Sequence, residues 1–364
     1  MNYNFRITII DRYIIRKFIG TYLMALLLII AIVIIFDISE KIDDFVDKKA
    51  PLQAIIFNYY ANFIPYFVNM FSPLFVFITV IFFTSKMAAN TEITAILAGG
   101  ISFKRLMYPY MLSAAFIFLS SLSLNLFVIP HANKGRLAFE ERYIKEKKSN
   151  IGRNTHYQID PGTFLYAESF SEWNNTIYRF TLESIEGHNI KSKLYAESAK
   201  WDEKKECWTL ANYELRDYST TGETIKKGSS LDTALAITVK DFYRKKNEVE
   251  KSDMEELDNL IATQEMRGDA MVKYSLIEKN TRIAMPFSAF ILTIMGVSLS
   301  SKKRRGGIGM NIGVGLALSF SYILFMRFSQ MFVHTGTLSP FVAIWLPNVL
   351  YSIIAVVLYR LAPK

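Results

Sequence analysis

Six apolar runs, each near or beyond the length of a bilayer-crossing helix, restrict what this chain can fold into more than any other feature. A hydrocarbon core about 30 Å thick needs about 20 apolar residues in helical form. The runs are Phe18–Phe36, Ile55–Phe83, Leu106–Ile129, Ile283–Leu299, Ile308–Phe328 and Phe341–Leu361. The core of the first, YLMALLLIIAIVIIF, carries no charge. Backbone polar groups in lipid must be satisfied within the segment, so these runs are expected to be helices. Pro65, Pro73 and Pro286 fall inside them and predict kinks.

The mean composition hides this pattern. Hydrophobic residues make up 51% of 364 residues, close to a soluble domain. The charged residues, however, crowd between Arg136 and Lys279. That separation predicts three spans over 1–129, a water-soluble insert over 130–269 and three spans over 270–364. The net charge of +9 does not point to nucleic acid, because the basic residues cluster at the ends of apolar runs. Arg6, Arg12, Arg16 and Lys17, then Lys86, Lys104 and Arg105, then Lys302, Lys303, Arg304 and Arg305, and finally Arg360 and Lys364, all fall on one side of the alternating spans. On the other side, DISEKIDDFVDKKAP sets three lysines among five carboxylates, and VHTGTLSP has neither Lys nor Arg. The expected topology has both termini in the cytoplasm and the insert outside. The N-terminal run has no small-residue cleavage site and is expected to remain as an anchor.

The insert reads as strands. GTFLYAESF, TIYRFTLES, SKLYAESAKW and CWTLANYELRDY are rich in aromatic and β-branched residues and are separated by Gly and Asn clusters. In the first of these, Phe164 and Tyr166 point one way while Leu165 and Ala167 point the other. Apolar groups on both faces mean either two packed layers or a face that holds something apolar. Ser252 and Glu255 fit a capping box before MEELDNLIATQEM, a helix closing the insert.

Motifs for several chemistries are missing. There is no Walker A loop, no H-E-x-x-H, no C-x-x-C and no G-x-S-x-G. The single cysteine, Cys207, allows no intrachain disulfide, and His131, His156, His188 and His334 are scattered. No metal site and no resident cofactor are expected. Energy for any uphill movement must come from another protein.

Between the second and third spans stands TEITAILAGGISFKR, Thr91 to Arg105. Asn90 or Thr91 can cap a helix, and Glu92 suits its positive end. Ile93, Ile96 and Leu97 share one face, and Gly99 or Gly100 ends the helix. Two turns are marginal alone in water, so the helix needs a surface. That surface is either the membrane interface or a cytosolic partner.

TEITAILAGGISFKRLM resembles the connector of the lipopolysaccharide-export permease family, the LptF/LptG type. DRYIIRKFIG, FLYAESF, KSKLYAESAKWDEKKECWTL and GIGMNIGVGLALSFSYILF are similar to other segments of that family, in the same order. The resemblance covers essentially the whole chain. It implies six membrane helices with a periplasmic β-jellyroll between the third and fourth. It also implies a Gram-negative inner membrane, lipopolysaccharide as substrate, and a second permease subunit. A partner ATPase of the LptB type, which would hold the ATP and Mg, would dock on the Glu92 helix, and a jellyroll protein of the LptC type would receive the lipid. Lipid held on the two-faced strand then becomes the favoured alternative.

Several polar and small residues fit that expectation. Arg327, near the end of the fifth span, is a candidate cation for lipid A phosphates, or else a snorkelling anchor. Lys41, Lys134 and Arg136 could join it. Family members place basic residues near the end of the first span, whereas Asp37 and Glu40 precede Lys41 here. Gly309 and Gly313, with Gly315 nearby, form a small-xxx-small pattern that permits close helix contact, within this chain or at a gate between two permeases. Two rival functions remain: a mechanotransmission or lipoprotein-release subunit, whose external domain follows the first of four spans, and an envelope scaffold without transport.

Overall fold

The computed structural model describes residues 7–144, 155–171, 174–187, 189–203, 205–219, 222–235, 237–239, 246–269, 271–301 and 307–362. Arg6, His188, the Lys302 to Arg305 cluster and Lys364 lie outside them. The chain divides into two compact units: Met1–Lys145, Glu250–Met254 and Leu276–Lys364 form one, and Glu146–Val249 with Glu255–Ser275 the other.

The first unit is built on six helices long and apolar enough to cross a membrane: Ile9–Asp47, Leu52–Ala89, Phe103–Tyr143, Val272–Ser300, Gly309–His334 and Pro340–Leu361. The first starts at a capping box, in which the Thr8 backbone N–H donates to Asp11 Oδ2 at 2.8 Å and the Asp11 N–H donates to Thr8 Oγ1 at 3.4 Å. Asp11, Ile14, Phe18, Tyr22, Leu26 and Ile30 then recur every three or four residues and form its buried stripe. The second helix is the centre of the unit. Val76, Val80, Phe83 and Met87 pack with the first and third helices, while Phe77 and Ile81 pack with Leu292, Met295, Tyr322 and Tyr351 of the last three. Gly296 lets the second and fourth helices approach closely: a Cβ there would lie 2.8 Å from Val80 Cγ1. The fourth helix is the most enclosed, with 72% of its apolar window buried, whereas the first and fifth have 22% and 28%. Two helices contain π-helical turns, Ile55–Tyr60 at the start of the second and Leu124–Val128 in the third. Pro286 lies in a short 3-10 turn, Met285–Phe287, within the fourth.

The second unit is a six-stranded antiparallel meander, ordered β1-β2-β3-β4-β5-β6. Its strands are Thr155–Asp160, Thr163–Ser171, Thr176–Glu186, Asn189–Asp202, Cys207–Ser219 and Gly222–Thr233. One face is covered. Leu165, Ala167, Phe180, Leu194, Ala196, Trp208 and Leu210 are buried on it, with Ile237 packed over them and its carbonyl accepting from the Trp208 indole at 2.8 Å. Burying a side chain the size of Phe180 contributes about 1.5–3 kcal/mol. Phe164 stays 36% exposed and Leu165 is fully buried, so the two-faced strand has one core face and one outer face.

The alternation breaks along one line across the sheet. Pairing skips Glu168, Arg179, Glu197, Asn212 and Ser229, one residue in each of β2 to β6. Arg179 and Asn212 both have φ 49°. Each strand thus carries one extra residue at the same level. Register is preserved and the inward-facing parity flips, from Ala167, Phe180 and Ala196 to Phe170, Ile177 and Ala199. Across the break the Arg179 guanidinium meets Glu168 at 3.0 Å and Asn212 donates to Glu197 at 2.7 Å.

Candidate functional site

At one end of the helical unit lies the connector helix, Glu92–Ala98. Its apolar face has a third destination beyond the two expected from sequence. Ile93 is buried among Ile14, Phe18, Phe103 and Leu106 of the chain's own first and third spans, and Ile96 and Leu97 are half-buried against the same cluster. Thr94, Ala95, Ala98 and Gly99 form the exposed remainder. Neither Asn90 nor Thr91 caps the helix with its side chain. Thr91 instead takes a left-handed conformation, φ 59°, and its hydroxyl donates to the Asn90 carbonyl at 2.6 Å. Gly99 ends the helix and Gly100, φ 87°, turns the chain away.

Glu92 is held by the first span. Its Oε2 accepts from the Tyr13 hydroxyl at 2.9 Å and lies 4.0 Å from the Lys17 ammonium, which itself donates to Tyr13. A second link escaped sequence reading. Arg105, in the first turn of the third span, donates through both terminal nitrogens to the two oxygens of Asp11, at 2.6 and 2.5 Å. The Asp11 side chain is only 2% exposed. Two matched donors on one carboxylate make this the strongest kind of side-chain ion pair. Nothing in spacing could reveal it, because 94 residues separate the partners.

At the other end of the helices stand the candidate cations. Lys41 is engaged: its ammonium meets Asp37 Oδ1 at 2.6 Å and also donates to the Tyr59 hydroxyl. Tyr59 and Tyr60, both from the π-helical turn, donate to Asp37 at 3.2 and 3.1 Å. Arg136 is engaged in part, with Glu250 at 3.4 Å, Glu140 at 3.9 Å and the Tyr66 ring beneath it at 5.4 Å, while its buried Nε has no partner. Lys134 is exposed two residues earlier. Arg327 is exposed, and no ion pair holds it among the described residues. Lys41 belongs to the Asp37 cluster, which includes neither Arg136 nor Arg327.

The three glycines divide. A Cβ on Gly315 would strike Ile81 Cδ1 at 2.2 Å, so this position serves packing within the chain. A Cβ on Gly309 or Gly313 would meet nothing within 4 Å among the described residues, so the small-xxx-small face is open there. A buried polar network, also unseen in the sequence, joins the second, third and fourth spans. Asn69 donates to Asn125 at 2.5 Å, Ser121 donates to Asn69 at 2.5 Å, and Asn125 donates to the Arg282 carbonyl at 3.0 Å. Arg282, 4% exposed, reaches Glu278 at 3.0 Å and the Ser252 carbonyl at 2.7 Å. The second π-helical turn brings Asn125 into this network.

Six spans in two sets of three, a β domain inserted between them and a short helix connecting the second and third spans define a polytopic membrane protein of the permease type. Residues 12–361 match the family model described as Lipopolysaccharide export system permease LptF/LptG, and the chain belongs to that family. It is similar to the lipopolysaccharide export system permease protein LptF of Escherichia coli strain K12, 22% identical over 96% of this chain and 94% of that protein. The LptF of Shigella flexneri matches to the same extent.

Proposed function

We propose that this chain is one permease subunit of an ABC transporter that extracts lipopolysaccharide from the Gram-negative inner membrane and hands it to a periplasmic bridge. In this reading both termini and the connector helix face the cytoplasm, as the Lys and Arg bias suggests, and the sheet faces the periplasm. A cytosolic LptB-like ATPase supplies the energy, since the sequence lacks a phosphate loop; it would bind the ATP and Mg. It would dock on the exposed Thr94, Ala95, Ala98 and Gly99 surface, with Ile93, Ile96, Leu97 and Glu92 carrying its movement into the helices. A second LptF/LptG-like subunit would cover the open Gly309 and Gly313 face and the poorly buried first and fifth spans. The covered apolar face of the sheet supports a role in passing acyl chains toward an LptC-like jellyroll protein.

One observation carries the substrate reading beyond family membership: Arg327 is an exposed guanidinium, without an ion-pair partner among the described residues, on an otherwise apolar face of the fifth span. An unpaired cation in such a place is costly unless it has a task. Lipid A phosphates supply one, with Arg136 and Lys134 as secondary contacts. The test is purification in detergent followed by mass spectrometry. Co-purifying lipopolysaccharide and an ATPase are expected. Absence of both from a well-folded preparation would favour a scaffold.

A further inference from the structure

We propose that Asp11 and Arg105 are positioning residues that tie the start of the first membrane helix to the start of the third, beside the connector helix, so that an ATPase stroke on the connector moves both spans together. The proposal rests on the reading above, in which an ATPase docks on the connector. It goes further by naming the path into the membrane.

The connector helix is bounded by two sharp turns. On one side the chain passes through Thr91 in a left-handed conformation, and on the other through Gly100, also at positive φ. Each is a sharp turn about single bonds next to a helix of seven residues. The side-chain contacts of the helix lead to the neighbouring spans. Ile93 shares one apolar cluster with Ile14 and Phe18 of the first span, Met87 of the second and Phe103 and Leu106 of the third, and Glu92 accepts from Tyr13 beside Lys17. One turn nearer the N-terminus, Arg105 grips Asp11 with two parallel hydrogen bonds. Asp11 is itself fixed by the Thr8 backbone and hydroxyl, so the carboxylate cannot rotate freely.

The first span is thus held at its start from two directions, by the connector helix through Glu92 and by the first turn of the third span through Arg105. Farther along, it is the least enclosed of the six spans. A long helix gripped at one end and loosely packed beyond is a lever. The pair has geometric strength as well as charge, because a guanidinium on a carboxylate resists both sliding and rotation.

The test uses the full complex with its ATPase, reconstituted in vesicles containing lipopolysaccharide. Asp11→Asn keeps the shape and removes the charge. The expected result is an ATPase retained at the parental level, hydrolysis near parental, and lipid delivered per ATP reduced about two- to thirtyfold, the span of a coupling change of 0.5–2 kcal/mol. The exchange Asp11→Arg with Arg105→Asp should recover part of the loss, which a merely misfolded helix would not do. Unchanged delivery per ATP in Asp11→Asn would overturn the proposal and leave the transport reading standing. Loss of the ATPase from Asp11→Asn would also overturn it, because the pair would then shape the dock. If the parent chain retains no ATPase, the transport reading fails and the proposal with it. Should Asp11→Asn not accumulate, Arg105→Lys serves under the same criteria, since it keeps the charge and loses the bidentate fork.

Discussion

Asp37 holds the ammonium of Lys41 at 2.6 Å while accepting from two tyrosines of a π-helical turn. The cation nearest in sequence to the family's expected position is therefore neutralised inside its own chain. Lys41→Ala is expected to leave lipid retention close to parental and to lower stability by about 1–3 kcal/mol, because the carboxylate loses its charged partner. Thermal unfolding in detergent, with bound lipid quantified on the same samples, checks both halves.

Arg327 should behave in the opposite way. Its guanidinium is exposed and makes no ion pair among the described residues, so Arg327→Ala should hardly change stability. A charge-assisted contact to phosphate is worth about 1.5–3 kcal/mol, so lipid retention should fall about ten- to a hundredfold. Arg327→Lys should lose less. Retention equal to the parent in Arg327→Ala at matched expression would assign the residue to snorkelling.

Glycines on neighbouring helices should separate folding from assembly. A methyl on Gly296 would sit 2.8 Å from Val80 Cγ1 and 3.3 Å from the Phe77 ring, so Gly296→Ala should cost about 1–3 kcal/mol. A Cβ on Gly313 would meet nothing within 4 Å among the described residues, so Gly313→Leu should cost the chain little stability. It should instead reduce recovery of a second permease chain in pull-downs, which is the measurement that distinguishes the two.

The connector helix gives a similar pair. Glu92→Lys would put an ammonium beside Lys17 and remove the Tyr13 contact, and the helix should lose its seat together with the ATPase. Ala95→Arg changes only the exposed side. It should leave thermal stability unaltered and still prevent ATPase co-purification. Full retention of the ATPase by Ala95→Arg would move the dock elsewhere.

On the outer face of the sheet, Glu214 accepts from Lys227 at 2.7 Å and Arg216 at 2.5 Å. These contacts, Lys227 first, hold its carboxyl below the usual range. A lowered folded pKa gives stability that is present above the unfolded value, about 4.3 for Glu, and is lost as pH falls through the folded value. The pair is exposed, so the effect should be small. Urea titrations of parent and Glu214→Gln should diverge slightly near neutrality and converge in acid.

The sequence by itself determined the six spans, the β insert after the third, the end of the connector helix at the Gly99–Gly100 pair and the apolar side formed by Ile93, Ile96 and Leu97. These follow from local rules: bilayer thickness sets run length, helical periodicity sets a face, and glycine permits the turn. Only the tertiary structure decided where that apolar side goes, that Lys41 is tied to Asp37, and that Asp11 meets Arg105. Each of these joins residues from different elements, and a side chain's partner depends on how the elements pack. The sheet shows the same division at closer range. TFLYAESFS looks apolar on both faces because Phe164 and Tyr166 occupy the outer face opposite Leu165 and Ala167, and one extra residue, at Glu168 in β2, then flips the alternation so that Phe170 is buried. That flip can be stable only if neighbouring strands flip at the same level, and their agreement is a property of the folded sheet.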